Sequence, residues 1–485
     1  MGHSNNQSIA ILLGALFLVV CVVTSKLSSR LGVPALVLFV AVGMLAGSEG
    51  PGGIEFANFA LTKQVGMILL GFILFAGGLD TDWKTLRPVV WHGLALSTVG
   101  VLCTTAMIGA FAHYLLGLDV VEALLLGAIV SSTDAAAIFS SLRSKGFSLK
   151  HQLAPIVEIE SGTNDPVAVM LTATLTELSI NKNASLTAAL PSLILQMPIG
   201  LLVGIAVGKA TVWAINRIRL EYDGLYSVLT IASAAATFGL APLLGGNEFI
   251  AVYASGVVMG SSVFVHKVSL VQFHDGIAWL LQIVVFLSLG LLVFPSQVLP
   301  TIGAGTAFAA FLIFVARPVA VALALSFSHL SISTKAFVAW AGLRGAFPII
   351  LGTFPVLAGL PSGHFIFNLV FFVVMVSVLI QGTTLRHVAR WLKVVSEPTK
   401  EAEMPGVSTS DMLEVTIAPN SPALGKQVVE LGLPATALIV LLRRGSENFI
   451  PRGSTVLESG DVLVVATRKE DDDELRVLLS GPSEL

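Results

Sequence analysis

The chain has 485 residues, 55% of them hydrophobic and only 12% charged, with a mean hydropathy of +0.88. A soluble domain carries about 25% charged residues, so the composition excludes an ordinary soluble protein and leaves a polytopic membrane protein. The formal net charge of -3 gives no sign of a nucleic-acid partner; the partner the composition demands is the lipid bilayer.

Residues 1–7 carry only His3 among titratable side chains, and the apolar run after them has no small-residue cleavage site, so it reads as a retained helix and not as a removed signal peptide. Stretches apolar enough to cross about 30 Å of hydrocarbon fall at 8–25, 32–47, 62–79, 88–117, 120–142, 150–178, 187–215, 224–242, 247–264, 271–294, 299–327, 333–358 and 364–392. Thirteen spans put the termini on opposite faces. The connecting charges then alternate. Lys26, Arg30, Lys84, Arg87, Arg143, Lys145, Lys150, Arg217, Arg219, Lys267, Lys335, Arg386, Arg390 and Lys393 fall on one side, and only Lys63 and Lys182 on the other. Basic loops stay in the cytoplasm, which predicts an outside N-terminus and a cytoplasmic C-terminus. Cys21 and Cys103 lie in apolar runs and read as small packing residues, not as a disulfide or a metal pair.

In the fifth span, Ser131-Ser132-Thr133-Asp134 interrupts apolar sequence at bilayer depth. Hydroxyls beside an Asp compete for backbone hydrogen bonds, and a helix broken there aims dipole ends and free carbonyls at a mid-membrane site. The competing reading is an unbroken helix with Ser and Thr bonded to the preceding turn and Asp134 paired to a neighbour. The sixth span carries Glu158-Ile159-Glu160-Ser161-Gly162-Thr163-Asn164-Asp165-Pro166. A charged group at mid-bilayer costs about 3 kcal/mol and usually marks an ion or proton path; a purely structural ion pair is the plainer alternative. The twelfth span holds Gly342-Leu343-Arg344-Gly345, followed by Pro348. Lying seven spans from the fifth, it runs in the opposite direction, as an inverted repeat requires.

Arg317 and Arg344 cannot lie uncompensated in lipid, and Glu160 is the expected partner of one of them. A paired carboxylate holds its charge, so Glu160 would brace the scaffold and leave Asp165 to exchange protons. His92, His113, His274 and His364 sit near predicted helix ends, where interfacial packing is the common role. Gln282 and Ser288 read as hydrogen-bonding groups, and Phe371 and Phe372 as lipid-facing or interface aromatics.

After about Ser396 the composition turns polar. Residues 1–395 form the membrane domain, 396–410 a linker, and 411–485 a small cytoplasmic α+β domain. Its strands are predicted at 412–417, 437–443 and 462–466, with a shorter one at 455–457, and helices at 426–431 and 470–479. No Gly-x-Gly-x-x-Gly follows a strand, so no dinucleotide site is indicated.

Glu160-Ser161-Gly162-Thr163-Asn164-Asp165-Pro166, Ser132-Thr133-Asp134, Gly342-Leu343-Arg344-Gly345 and the stretch from Asp275-Gly276-Ile277-Ala278-Trp279 to Leu289-Gly290-Leu291-Leu292-Val293 together resemble bacterial monovalent cation:proton antiporters of the NhaP type. The tail is similar to a TrkA-C (RCK C-terminal) domain at Ser421-Pro422-Ala423-Leu424-Gly425-Lys426 and Leu457-Glu458-Ser459-Gly460-Asp461-Val462. The combination resembles the potassium/proton branch. It implies a thirteen-helix homodimer in the bacterial plasma (inner) membrane, with a dimerisation part and a core part that alternates its access. It also implies that Asp165 binds the transported monovalent cation, Thr133 and Asp134 form the unwound pair, Ser161 coordinates, and Asn164 stands beside the acid. An Asn-Asp pair resembles the electroneutral exchangers. Where many relatives place a carboxylate, this chain has Ala76, with Asp80 nearer the helix end.

The expected function is therefore exchange of K⁺ for protons, with no covalent chemistry, no enzymatic activity and no cofactor; a small ligand, a nucleotide among the candidates, would regulate at the tail. Exchange of Na⁺ or Li⁺ for protons is the nearest alternative. A ligand-gated cation channel is a second, opposed by the absence of a Thr-Val-Gly-Tyr-Gly-like filter. An intramembrane hydrolase using Asp134 and Asp165 as a paired acid is a third.

Overall fold

Backbone groups in hydrocarbon must find partners within the chain, and a helix supplies them within one segment. The computed structural model is correspondingly helical through its first part. It describes residues 2–31, 33–143, 148–150, 152–181, 184–218, 220–396, 412–419, 421–433, 437–445, 447–466, 475 and 478–479. Two compact units divide the chain, Met1–Glu397 and Pro398–Leu485.

Among the described residues, the first unit contains α1 (Gly2–Leu31), α2 (Ala35–Ala46), α3 (Phe59–Leu79), α4 (Trp83–Leu116), α5 (Val120–Ile129), α6 (Ala135–Arg143), α7 (Leu153–Ile180), α8 (Leu186–Arg217), α9 (Asp223–Leu243), α10 (Glu248–Gly260), α11 (Lys267–Leu292), α12 (Pro295–Ala324), α13 (Ile332–Trp340), α14 (Ala346–Leu357) and α15 (Gly363–Trp391). Among the described residues, eight helices are long and apolar enough to cross a membrane, and α2, α5, α10 and α14 are shorter apolar ones. The 28-residue α7 is also long enough, but carries Glu158, Glu160, Asp165 and Glu177. With α5 and α6 taken as one interrupted span, and α13 and α14 as another, the helices occupy the thirteen predicted places.

Small residues set the seams beside the site. A Cβ on Gly78 of α3 would fall 2.6 Å from the Tyr253 carbonyl oxygen of α10, and one on Gly256 would collide with the Phe75 carbonyl. Backbones approach this closely where lipid supplies no hydrophobic drive between helices. In α12 a π turn at Leu312–Ala316 immediately precedes Arg317; such turns re-aim the side chains that follow. On the face that bears most of the basic loops, β1 (Ser148–Leu149) pairs antiparallel with β2 (Val395–Ser396). Ser396, predicted to begin the linker, is thus the end of a strand. The rest of the predicted linker lies outside the described residues, as do Lys145, Lys182 and Arg219.

Two other expectations are corrected here. Because α11 starts at Lys267, His274 sits two turns inside it, buried, with Nε2 2.8 Å from Thr230 Oγ1 and its ring edge-on to Phe75. Phe371 is buried within the chain, neither lipid-facing nor at an interface.

The second unit is a four-stranded antiparallel sheet in the order β3 (Met412–Thr416), β6 (Val462–Ala466), β4 (Leu438–Arg444), β5 (Glu447–Phe449). Cross-strand pairs such as Leu413 with Val465 and Leu442 with Leu463 build its core. Residues 455–457 make a single bridge, Val456 to Gln427, not a strand. The fourth strand is Glu447–Phe449, whose three residues are too few to show a period of two. The helix expected at 426–431 is a 3₁₀ turn, Val428–Leu431, closed by a Gln427/Glu430 capping box. Most of 470–479 lies outside the described residues.

Candidate functional site

Two interrupted spans meet in the middle of the first unit. Residues 130–134 leave the helix between α5 and α6, and residues 341–345 do so between α13 and α14. Ser131 Oγ donates to the Ala128 carbonyl at 2.7 Å, the local competition that ends α5. The backbone N–H of Asp134 donates to the Leu343 carbonyl at 2.8 Å, tying one break to the other. Arg344 Nη1 donates to the carbonyls of Ser131 and Ser132 at 2.9 and 2.8 Å, placing a cation at the negative end of a half-helix. A Cβ on Gly345 would collide with the Asp134 carboxyl group. Behind the break, Gln381 Nε2 donates to the Trp340 carbonyl at 2.8 Å and Ser377 Oγ donates to Gln381 Oε1 at 2.5 Å.

Against this crossing lies α7, unbroken through Pro166. A proline has no N–H for the carbonyl four residues earlier, so the Gly162 oxygen is released one turn before it. Ser161 Oγ accepts from the Ala135 N–H at 3.0 Å and donates to the Thr133 carbonyl at 2.9 Å, so it caps α6. Asn164 Nδ2 donates to Thr133 Oγ1 at 2.6 Å, while Asn164 Oδ1 is buried with no hydrogen bond among the described residues. Ser132 Oγ donates to Asp165 Oδ1. Asp134 Oδ1 accepts from the Ala137 N–H at 3.1 Å.

The buried cations are held elsewhere. Arg317 Nη1 is 2.5 Å from Glu160 Oε1, each side chain under 5% exposed, and Arg317 Nη2 donates to the Val338 carbonyl at 3.2 Å. Arg344 is held by carbonyls and not by Glu160.

A cavity of about 730 Å³ reaches this crossing. Asp165, Asp134, Thr133 and Ser161 line it; Asn164, Glu160, Arg317 and Arg344 do not and stand behind the wall. Its other end is lined by Ser25, Asp80, Asp275, Arg386 and His387, and both Ala76 and Gln282 are on its wall. Carboxylate, hydroxyl and carbonyl oxygens are the hard donors that suit alkali and other hard cations. Sequence reasoning missed two residues here. Ser132 was legible only as a neighbour of Thr133, although its hydroxyl reaches Asp165. Tyr253, in the mostly apolar α10, gave no signal, yet it lines the cavity beside Gly162.

Residues 15–391 match the family model described as sodium/hydrogen exchanger, transmembrane, and residues 412–480 match the TrkA-C domain. The K(+)/H(+) antiporter NhaP of Alkalimonas amylolytica is 38% identical over 478 residues, 97% of this chain and 83% of the relative. The K(+)/H(+) antiporter NhaP2 of Shewanella sp. (strain MR-4) is 39% identical over 482 residues, 98% of this chain and 83% of that one. Among solved structures, the sodium proton antiporter MjNhaP1 from Methanocaldococcus jannaschii at pH 8 has the same fold, with a TM-score of 0.69 at 24% identity, covering 80% of this chain and 99% of the other.

Proposed function

The chain belongs to the sodium/hydrogen exchanger family, and on that footing we propose that it exchanges K⁺ for protons by letting the two compete for Asp165. It is a multi-pass membrane antiporter with a soluble TrkA-C domain. K⁺ is preferred to Na⁺ because relatives that match almost the whole chain are named for potassium, and Ala76 puts no carboxylate at its own place on the cavity wall to hold an ion more strongly.

One observation carries the reading: Asp165 faces the cavity with Ser132 as its hydrogen-bond donor, while Glu160 and two backbone carbonyls occupy the arginines that would otherwise neutralise it. Deprotonated, Asp165 offers a negative charge to a cation, with Thr133, Asp134 and Ser161 supplying or orienting further oxygens. Protonated, it offers none. Asn164 braces Thr133 and adds no second charge, consistent with exchange of one proton for one cation. The cavity opens toward the face with most of the basic loops, so the chain is drawn with that face in the cytoplasm, the N-terminus outside, in a bacterial plasma membrane and as a homodimer. The tail would shift the transport equilibrium through a ligand with different affinities for the two access states.

The test is proton flux in proteoliposomes with K⁺, Na⁺ or Li⁺ offered in turn. Wild type should move protons with K⁺ most strongly, and Asp165→Asn should abolish the movement with every ion. Equal or greater flux with Na⁺ would reverse the selectivity, and current without an opposing proton gradient would point to a channel.

A further inference from the structure

One hydroxyl on the cavity wall is buried without a partner. Tyr253 is 8% exposed, lines the cavity, and its Oη makes no hydrogen bond among the described residues. A buried hydroxyl in that state costs free energy unless a water or ion completes it. The tyrosine ring lies against α7 at Gly162, where a Cβ would fall 2.5 Å from Tyr253 Cζ. Glycine therefore admits the phenol to that helix face. Along the same face Glu158, Gly162 and Asp165 recur at i, i+4 and i+7, one stripe of a helix, and all three line the cavity. At 1.5 Å per residue Glu158 stands about 10 Å from Asp165 along the helix. It lies toward the end of α7 where the Lys150 N–H donates to the Val394 carbonyl at 3.0 Å, the end that bears the basic loops.

We propose that Glu158 and the Tyr253 hydroxyl form a second, transient site for a partly hydrated monovalent cation on its way to Asp165. The inference rests on the antiporter reading. A carboxylate and a phenol oxygen are hard ligands, and a site open to water on its cavity side binds an alkali ion weakly enough to release it inward. A pathway needs such sites: favourable enough to admit the ion, weak enough to pass it on. The tyrosine contributes from α10 and the acid from α7, so the site forms only while those two helices stay in register.

The experiment compares wild type, Glu158→Gln and Tyr253→Phe in proteoliposomes, following proton flux as K⁺ is raised on the side to which the cavity opens. The phenylalanine keeps the ring against Gly162 and removes only the hydroxyl. Each variant should raise the apparent KM for K⁺ more than it lowers the rate at saturation, Glu158→Gln by at least about fivefold, the factor a unit charge a few ångströms from a cation supplies in water. The double variant should be little worse than Glu158→Gln alone, because both groups serve one ion. A wild-type KM in both single variants, or a loss confined to the saturating rate, would overturn the proposal. Asp165→Asn is measured alongside. If wild type shows no K⁺-coupled proton flux, the antiporter reading itself has failed; if wild type exchanges, Asp165→Asn does not, and the two variants keep their KM, only the second site has.

Discussion

Arg317 and Glu160 pair with each other beside the crossing, which on the proposed mechanism leaves Asp165 to exchange protons. Both side chains are under 5% exposed, so Glu160→Gln would leave a guanidinium buried without a counter-charge. Breaking a buried pair from one side costs about 3–5 kcal/mol. Glu160→Gln should therefore lower the thermal midpoint of the detergent-solubilised protein by several degrees, and Glu160→Gln combined with Arg317→Met should recover part of the loss. In the second unit, Asp461 is 1% exposed and accepts from Arg444 Nε and Nη2 at 2.8 and 2.7 Å and from the Glu458 N–H at 2.8 Å. Burial pushes its carboxyl up, but the Arg444 hydrogen bonds, the Glu458 N–H and the Arg444 charge together hold it below the usual carboxylate range. A folded value below the unfolded one stabilises the domain fully above the ordinary carboxylate pKa of about 4, and the contribution disappears as pH falls through the folded value. Amide exchange of residues 438–444 in the full-length protein should accelerate only below about pH 4 in wild type, and already at neutral pH in Asp461→Asn. Identical profiles for the two would remove Asp461 from the account.

At the scale of elements, the site is a crossing of two broken spans held against one continuous helix. Arg344 caps the end of α5 from the far side of the crossing, and Gly345 leaves room for Asp134. Gly345→Ala should cut flux by at least about tenfold, since a misplacement of order 1 Å costs a hundredfold where geometry is decisive. Circular dichroism should meanwhile keep its helical content; wild-type flux would show that the crossing tolerates displacement. These elements were legible in sequence because their causes are local: four polar residues in an apolar run, and two glycines around an arginine. Ser161, Asn164, Thr133 and Asp165 do converge, and Glu160 does meet an arginine, but that it is Arg317 and not Arg344 follows from the packing of separate helices and not from any local pattern. What the sequence hid is non-local. The burial of His274 and Phe371 depends on neighbouring helices, the Glu447–Phe449 strand is too short to show alternation, and Tyr253 gains a role only from the glycine it faces on α7.

For the whole molecule, the thirteen helical places and the charge alternation rest on the same count. An impermeant thiol reagent should label Lys63→Cys from outside the cell and Lys393→Cys only from inside, with Cys21 and Cys103 replaced. The reverse pattern would invert the proposed orientation.

The claim beneath all of this is that proton and cation share one carboxylate. Its most direct measurement is the apparent KM for K⁺ as a function of pH in proteoliposomes. Competition predicts that on the acid side of the site's titration KM rises about tenfold for each unit that pH falls, as reciprocal linkage at a single site requires, while the rate at saturating K⁺ stays level. A KM that does not change with pH, or proton-coupled K⁺ movement that survives Asp165→Asn, would contradict it.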